Sequence, residues 1–396
     1  MPSETKNFIF NPINFIINTL IILLPFEVII NGLGHKYNYG QKFSYIYGLI
    51  AVCLIVILMT KINWAIAYKI NKFLIIGTIF VTVLSKISSL VINTYTSNLF
   101  IPGFNSEVLP LILLVVIYIY SKQNQFIFTR TTKLILFTSI FVTNIFFVLN
   151  KLDNLPSNIS EVIKINPNYY GILNLIYLSI LTSVYIKSES IHKYWLRFFG
   201  SGIIFLQLIF APLTALFSIA AVILLITKNK FPNLVITKYI VLTCFTIALG
   251  LGLLANLTTL SYKDYASTVS RDITIISNAK NRLFYGYGLG NTDNVGEFVY
   301  GSNYSKFLDR PLIKDNNENK ELIPNVELSI MQLLVSGGII YTIIYLLILV
   351  NIAYKEARSS YYFYPMLVII LTSLFFNPLS FLPIFYILAL SSLFIF

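Results

Sequence analysis

Long apolar runs dominate this chain, and they leave few folds open to it. The hydrophobic fraction is 57% and the charged fraction only 11%, whereas soluble domains carry roughly 25% charged residues. A membrane span needs about 20 apolar residues, and many runs approach that length. Because a bilayer offers the backbone no hydrogen-bond partners, helices are the expected form of such spans. We therefore predict an all-α integral membrane protein.

The apolar runs are interpreted as about twelve transmembrane helices. The connection between the second and third, Lys61–Lys72, is amphipathic and is expected to lie in the membrane interface. The fourth span is short, and its ends are poorly defined by the pattern. The predicted spans are Phe8–Ile30, Phe43–Thr60, Phe73–Asn93, Val108–Tyr120, Leu134–Asn150, Tyr169–Ile186, Trp195–Phe210, Leu213–Thr227, Tyr239–Asn256, Leu328–Asn351, Tyr362–Phe376 and Ser380–Phe396.

The stretch Trp195–Thr227 allows two interpretations. As one helix it would be about 50 Å long at ~1.5 Å per residue, which exceeds a hydrocarbon core of roughly 30 Å. Ala211-Pro212 lies near its middle, and proline interrupts helical hydrogen bonding. Two short spans joined by a tight outer turn are therefore favoured, and one long kinked helix is the alternative.

Basic residues determine the predicted orientation, because Lys and Arg concentrate on the cytoplasmic side of short loops. With twelve spans and an inner N-terminus, most basic residues outside the long polar loop fall inside. Merging the two short spans would move the basic residues from Lys228 onward to the outside. We predict that both termini are cytoplasmic. The net charge of +12 then reflects orientation and does not indicate nucleic-acid binding. Cys53 and Cys244 fall in apolar runs, so no disulfide framework is expected.

One long polar segment, residues 257–327, interrupts the apolar pattern. It separates a nine-helix region, residues 1–256, from a three-helix region, residues 328–396. The predicted topology puts this loop on the extracytoplasmic side. Loops held by a rigid scaffold carry function more often than the scaffold itself, so candidate functional residues are sought here first.

The loop combines arginines with an aromatic and glycine-rich turn. Guanidinium groups bind phosphate in a fork geometry and stay charged, so Arg271, Arg282 and Arg310 fit an anionic substrate. The alternative is that they pair with aspartates of the loop and hold it folded. Tyr285 and Tyr287 offer flat surfaces for sugars or lipid headgroups. The glycines of this turn allow close backbone approach to a ligand, and no Gly-Lys-Ser/Thr follows to make a P-loop.

Two further residues are candidates on the strength of their position. Lys86 lies inside the third span, and an ionisable residue there is a functional-site hypothesis by default. A lysine that snorkels to the outer interface is the alternative. Glu327 lies where the loop re-enters the membrane and could act as a general base; the alternative is a carboxylate favoured by the helix dipole. His35 and His192 fall on opposite sides, so neither a metal site nor a cofactor is predicted.

The order of these features resembles a known family. Ser270-Arg271 is followed by the turn Leu283–Asn291, and then by a span beginning Glu327-Leu-Ser-Ile-Met-Gln-Leu-Leu and containing Gly337-Gly338. This pattern, with the predicted topology, resembles the bacterial O-antigen polymerase and O-antigen ligase superfamily. The resemblance implies an inner-membrane enzyme with a fold like the C-type glycosyltransferases, acting without a metal. Its partners would be an undecaprenyl-diphosphate-linked oligosaccharide and membrane lipid. A protein that regulates chain length is a further partner that the resemblance allows.

The same resemblance assigns roles to individual residues. Alignment on Gly338 puts Glu327 where the ligases have a histidine, which favours a polymerase over a ligase. Arg271 matches the essential arginine of the family and would stabilise the leaving diphosphate, while Glu327 would orient or deprotonate the acceptor. The expected substrate contacts are Lys86, Arg282, Arg310, Tyr285 and Tyr287. A flippase or transporter is a third possibility, but it would call for repeated halves or for charged or broken helices near the midplane, and the sequence suggests neither.

Overall fold

The described elements of the computed structural model are almost entirely helical. In chain order they are α1 Tyr39–Lys61, α2 Trp64–Val91, a π-helical turn Phe104–Val108, α3 Leu109–Gln123, α4 Arg130–Lys151, α5 Ser190–Phe210, β1 Ile313–Lys314, β2 Glu321–Leu322 and α6 Ser329–Glu356. The structure describes residues 12, 13, 15–19, 22, 39–91, 101, 103–124, 130–151, 170, 171, 174, 177, 178, 181, 190–210, 215, 218, 219, 222, 223, 284–286, 288, 289, 313, 314, 321, 322 and 329–356.

Each of α1 to α6 overlaps one of the predicted spans. The described residues of the first, sixth and eighth predicted spans are helical as well. The prediction of a helical fold is thus confirmed for this part of the chain. The predicted spans that lie outside the described residues are Tyr239–Asn256, Tyr362–Phe376 and Ser380–Phe396.

Two of the helices contain stretches long and apolar enough to cross a membrane. These are Trp64–Ser88 in α2 and Gln332–Ile352 in α6. The number of twelve spans stays a prediction. Helix α5 ends at Phe210, one residue before Ala211-Pro212, and the residues that decide between one span and two lie outside the described part.

The long polar loop contains a small antiparallel strand pair, which the all-α prediction did not include. Ile313 lies opposite Leu322 and Lys314 opposite Glu321. The second pair sets opposite charges against each other across the ladder, which stabilises such a pairing. The pair is two residues long on each side and does not alter the helical class of the fold.

Helix α3 is the centre of the described part. Its residues from Leu109 to Ser121 are almost all buried, and α1 and α2 both pack against it. A helix that is apolar all round belongs in the interior. The π-helical turn precedes it directly, and the two together extend about 30 Å at ~1.5 Å per residue, the thickness of a hydrocarbon core. The fourth predicted span is therefore longer at its N-terminal end than the apolar pattern indicates.

Helices α2 and α6 pack against each other and turn apolar faces outward. Their contact is close at Gly77, where an added Cβ would lie 3.3 Å from Ile348. Large apolar patches on a surface mark contact with something other than water, and here they recur at helical spacing. The exposed apolar residues of the two helices include Ile76, Ile79, Phe80, Val83, Ile87, Ile339, Ile343, Leu347 and Val350.

The predicted amphipathic connection after α1 is largely helical. Helix α2 begins at Trp64 and is kinked at Asn71, whose backbone is non-helical (φ −125°, ψ 29°). The backbone N–H of Asn63 donates to Gln123 Oε1 (2.7 Å), and Gln123 Nε2 donates back to the Asn63 carbonyl (3.1 Å). These reciprocal hydrogen bonds tie the start of α2 to the C-terminal end of α3.

A pair of buried amides joins α4 to the helical residues that follow it. Asn144 Nδ2 donates to Asn174 Oδ1 and Asn174 Nδ2 donates to Asn144 Oδ1, each at 3.1 Å. The hydroxyl of Tyr170 donates to Asn144 Oδ1 as well, and its ring stacks on Phe147. Polar side chains of this kind hold membrane helices together at fixed register.

Replacing Asn144 or Asn174 by leucine should destabilise the protein, because each change removes a hydrogen-bond partner of the other buried amide. The double variant should lose less stability than the two single variants added together, with a coupling of about 0.6 to 1.7 kcal/mol. This coupling free energy is measured by titrating SDS into mixed micelles and comparing the unfolding of the single and double variants. Thr78→Val is the control, because the buried Thr78 hydroxyl donates within its own helix α2, to the carbonyl of Leu74. If Thr78→Val couples to Asn174→Leu as strongly as Asn144→Leu does, the amide pair is not the cause.

Candidate functional site

Helix α6 is interrupted at Gly338, inside its membrane-length stretch. Gly338 has φ 83° and ψ 178°, a backbone conformation that glycine adopts far more readily than other residues. The hydroxyl of Thr342 donates to the Gly338 carbonyl (2.9 Å) and so satisfies a backbone group beside the break. A broken helix was not expected from the sequence. That expectation was wrong, because two glycines in an apolar run are common in membrane helices and do not by themselves reveal a break.

The glycine turn, which the structure describes at residues 284–286, 288 and 289, docks on this break. The backbone N–H of Gly288 donates to the carbonyl of Ser336 at 2.9 Å. In an unbroken helix that carbonyl accepts from the residue four positions later, and here it accepts from the turn. Non-helical backbone at membrane depth is tolerated where protein buries it, and this hydrogen bond supplies part of the required pairing.

Close backbone contact explains why the turn contains glycine. Gly286 has φ 74°, and a Cβ there would collide with the carbonyl oxygen of Ser336. A Cβ on Gly338 would in turn collide with the carbonyl of Phe284. From the sequence, the glycines of the turn were expected to approach a ligand closely. In the structure the close approach of Gly286 is to the backbone of α6.

The turn is buried at one end and exposed at the other. Leu289 is only 1% exposed and belongs to the hydrophobic core. Tyr285 is 55% exposed, and its ring meets that of Phe284 edge to face, with ring centres 5.0 Å apart. The docked turn is therefore anchored by the buried Leu289, and its aromatic pair, Phe284 and Tyr285, lies exposed on the surface.

A buried carboxylate lies directly behind the docked turn. Glu107, in the π-helical turn, is 1% exposed. Ser336 Oγ donates to Glu107 Oε2 at 2.8 Å, and Gln332 Nε2 donates to Oε1 at 3.3 Å. The hydroxyl of Tyr345 donates to the main-chain carbonyl of Glu107 at 3.1 Å. Burying a carboxylate is costly unless it is hydrogen-bonded, and α6 provides donors to both of its oxygens.

Tyr341 completes this cluster. Its side chain is fully buried, and its hydroxyl lies beside the Glu107 carboxylate. Its ring lies over Gly337, where any Cβ would overlap the ring atoms. Gly337 thus makes space for the tyrosine, while Gly338 permits the break.

Glu107 was missed from sequence, because it lies one residue before the predicted span Val108–Tyr120. A usable signal existed. The predicted span Val108–Tyr120 is only about 20 Å long at ~1.5 Å per residue, too short for a membrane, and lengthening it upstream would have placed Glu107 inside. An ionisable residue within a span is then a functional candidate.

Of the predicted site residues, the structure describes Lys86 and Tyr285. Lys86 is exposed on α2, between the buried side chains of Ser85 and Ser88. Helix α6 begins at Ser329, two residues after Glu327, a position that suits both a base at the loop and a dipole-favoured carboxylate. The predicted residues that lie outside the described part are Arg271, Arg282, Arg310, Tyr287 and Glu327.

Within the part of the chain that the structure describes, no three His, Cys, Asp or Glu side chains are grouped so as to hold a metal ion. Comparison with protein families, with curated proteins and with solved structures finds no match for this chain. What the site does must therefore be argued from its residues. The coarse class is that of a helical protein with helices of membrane length.

Proposed function

We propose that this protein is a polysaccharide repeat-unit polymerase of a bacterial inner membrane, with twelve spans and a C-type glycosyltransferase fold. An acceptor sugar hydroxyl on a lipid-linked repeat unit attacks the anomeric carbon of the growing glycan. The new glycosidic bond forms as the bond to undecaprenyl diphosphate breaks. Glu327 takes the acceptor proton, and Arg271 stabilises the departing diphosphate, an electrostatic role that needs no metal. Lys86, Arg282, Arg310, Tyr285 and Tyr287 contact the substrates.

One observation carries most of the support for this proposal. The glycine turn and the Gly337-Gly338 segment are two separate pieces of the family-like pattern, and they touch through the bond from Gly288 to Ser336. The contact brings the stretch that follows Arg271 to the helix that follows Glu327. A pattern whose pieces meet in space is better evidence for a site than the same pieces scattered through a fold.

The outer location of the loop is the part of the proposal that is easiest to test. We expect a cysteine in place of Tyr285, in a variant with Cys53 and Cys244 replaced by serine, to react with a membrane-impermeant maleimide in intact spheroplasts. Tyr285 is exposed, so lack of access by burial is not a concern. Lys122→Cys, exposed at the predicted cytoplasmic end of α3, should react only after permeabilisation. The reverse labelling pattern would put the loop in the cytosol and end the proposal.

A transporter or flippase is the second candidate, and two observations favour it. Helix α6 is broken at Gly338, and Glu107 is a buried ionisable residue beside the break. Discontinuous helices with charged residues are typical of transporter binding sites. In those sites the freed backbone groups face a ligand, whereas the freed carbonyl of Ser336 accepts from the chain's own Gly288. That difference favours the polymerase, in which the loop docks on the break, over a transporter, in which the break would form a ligand or ion site.

Reconstitution with synthetic diphosphate-linked repeat units separates the candidates. A polymerase should convert them into a ladder of longer lipid-linked chains in the absence of any other protein. A flippase should move the lipid-linked unit across the vesicle membrane without joining units. A ligase is distinguished in cells, because its deletion strain should accumulate full-length unligated chains, while a polymerase deletion should accumulate single-repeat intermediate.

A further inference from the structure

The carboxylate of Glu107 has no role in the proposed reaction, yet it is deeply buried and bonded to the helix that the glycine turn contacts. It hydrogen-bonds Gln332 and Ser336, two residues one helical turn apart on α6, just before the break at Gly338. An ionisable residue in an apolar interior is a functional-site hypothesis by default.

Ser336 links the carboxylate to the turn. Its hydroxyl donates to Glu107 Oε2 at 2.8 Å, and its carbonyl accepts from the Gly288 N–H at 2.9 Å. The Ser336 hydroxyl also lies 2.8 Å from the carbonyl of Gln332, so its single proton is shared between the two acceptors. Ser336 therefore connects the two segments: its hydroxyl bonds to Glu107 of the π-helical turn, and its carbonyl bonds to Gly288 of the glycine turn.

The position of α6 relative to the π-helical turn is fixed at a second point. The hydroxyl of Tyr345 donates to the main-chain carbonyl of Glu107 at 3.1 Å. Tyr345 lies beyond the break and Gln332 before it, so Glu107 bonds to both halves of the interrupted helix. A group that bonds both sides of a break can hold the angle between them.

We infer that Glu107 is a positioning residue: it holds the two halves of α6 at the break and, through Ser336, keeps the glycine turn docked with its aromatic pair exposed. The docking itself is independent of the reaction proposed above, while its effect on activity rests on that reaction. Glu107 acts here through hydrogen bonds and neither receives a proton nor touches substrate.

Hydrogen exchange of the turn tests this directly in the purified full-length protein. Glu107→Ala should speed exchange of the Gly288 amide on the order of tenfold, the effect of losing one or two hydrogen bonds. Ser336→Ala should act in the same direction, and it removes only one hydroxyl. Ser121→Ala is the matched control, because Ser121 is a buried serine at the C-terminal end of α3 whose hydroxyl donates to the carbonyl of Tyr118 in the same helix. It should leave Gly288 exchange unchanged.

Glu107→Gln separates hydrogen bonding from charge. The amide oxygen of glutamine can accept from Ser336, so this variant should keep Gly288 protected and should keep chain lengths close to those of the unchanged protein. If Glu107→Gln keeps the protection but makes no polymer, Glu107 acts through its charge or a proton and the inference is wrong.

The inference and the proposed function fail in different ways. Unchanged Gly288 exchange in both Glu107→Ala and Ser336→Ala overturns the positioning role, whatever the protein catalyses. Increased exchange in these variants, combined with no polymer from the unchanged protein in reconstitution, supports the positioning role and overturns the polymerase. Global unfolding of Glu107→Ala would appear as faster exchange in α4 as well, and Ser336→Ala then decides.

Discussion

Long-chain polysaccharide should disappear when Arg271 is replaced by alanine in a strain that lacks the chromosomal gene. On the proposed mechanism Arg271 stabilises the charge that develops on the leaving diphosphate. Removing one such group from an active site slows the chemical step by about 100- to 1,000-fold, which reduces a polymer ladder to single repeats. Arg271→Lys should give chain lengths between those of the unchanged protein and those of Arg271→Ala, because lysine keeps the charge but loses the forked contact to phosphate.

The measurement is the length distribution of surface polysaccharide on a gel, read with the amount of the variant in the membrane. Arg197→Ala is the matched control, since it removes an exposed arginine from α5 at the predicted cytoplasmic side. It should leave chain length unchanged. Normal chain lengths from Arg271→Ala at a normal protein level would exclude Arg271 from the mechanism.

The helices were predictable because apolar runs leave one solution in a bilayer, in which each backbone group pairs within its own helix. The ends were less predictable. Helix α2 begins at Trp64, well before the predicted span at Phe73, because an interfacial segment need not be apolar to be helical. The predicted span at α3 was too short at its N-terminal end for a similar reason, because a polar π-helical turn, Phe104–Val108, continues the helix there.

The candidate site was predictable in part. The glycine turn and the Gly337-Gly338 segment were both identified from sequence, and in the structure their backbones are in close contact. What sequence could not give is that they touch, because the contact joins backbones about 50 residues apart along the chain, and backbone contacts leave no side-chain pattern. Glu107 was hidden for a related reason: its partners on α6 are distant in sequence, and neutral donors such as Ser336 carry no charge signal.

Alanine at Gly286 or at Gly338 should detach the glycine turn from α6. Both residues have positive φ, which costs a non-glycine residue about 1–3 kcal/mol. In addition, a Cβ at either position meets the main chain of the other segment, and backbone in a packed interior cannot move aside cheaply. We expect a lower midpoint of thermal denaturation in detergent, faster exchange at Gly288 and, on the proposed function, loss of polymer.

Gly202→Ala is the control for this prediction, because an added Cβ at this helical position meets nothing within 4 Å. It should be neutral or slightly stabilising, since alanine is a better helix former than glycine. The double variant Gly286→Ala/Gly338→Ala adds a sharper test. Both substitutions disrupt the same contact, so the losses of stability that they cause should not add. Losses at independent sites add within about 0.5 kcal/mol. A Gly286→Ala protein as stable as Gly202→Ala, with Gly288 still protected, would show that the turn does not depend on this approach to the break, and the site would lose its geometric basis.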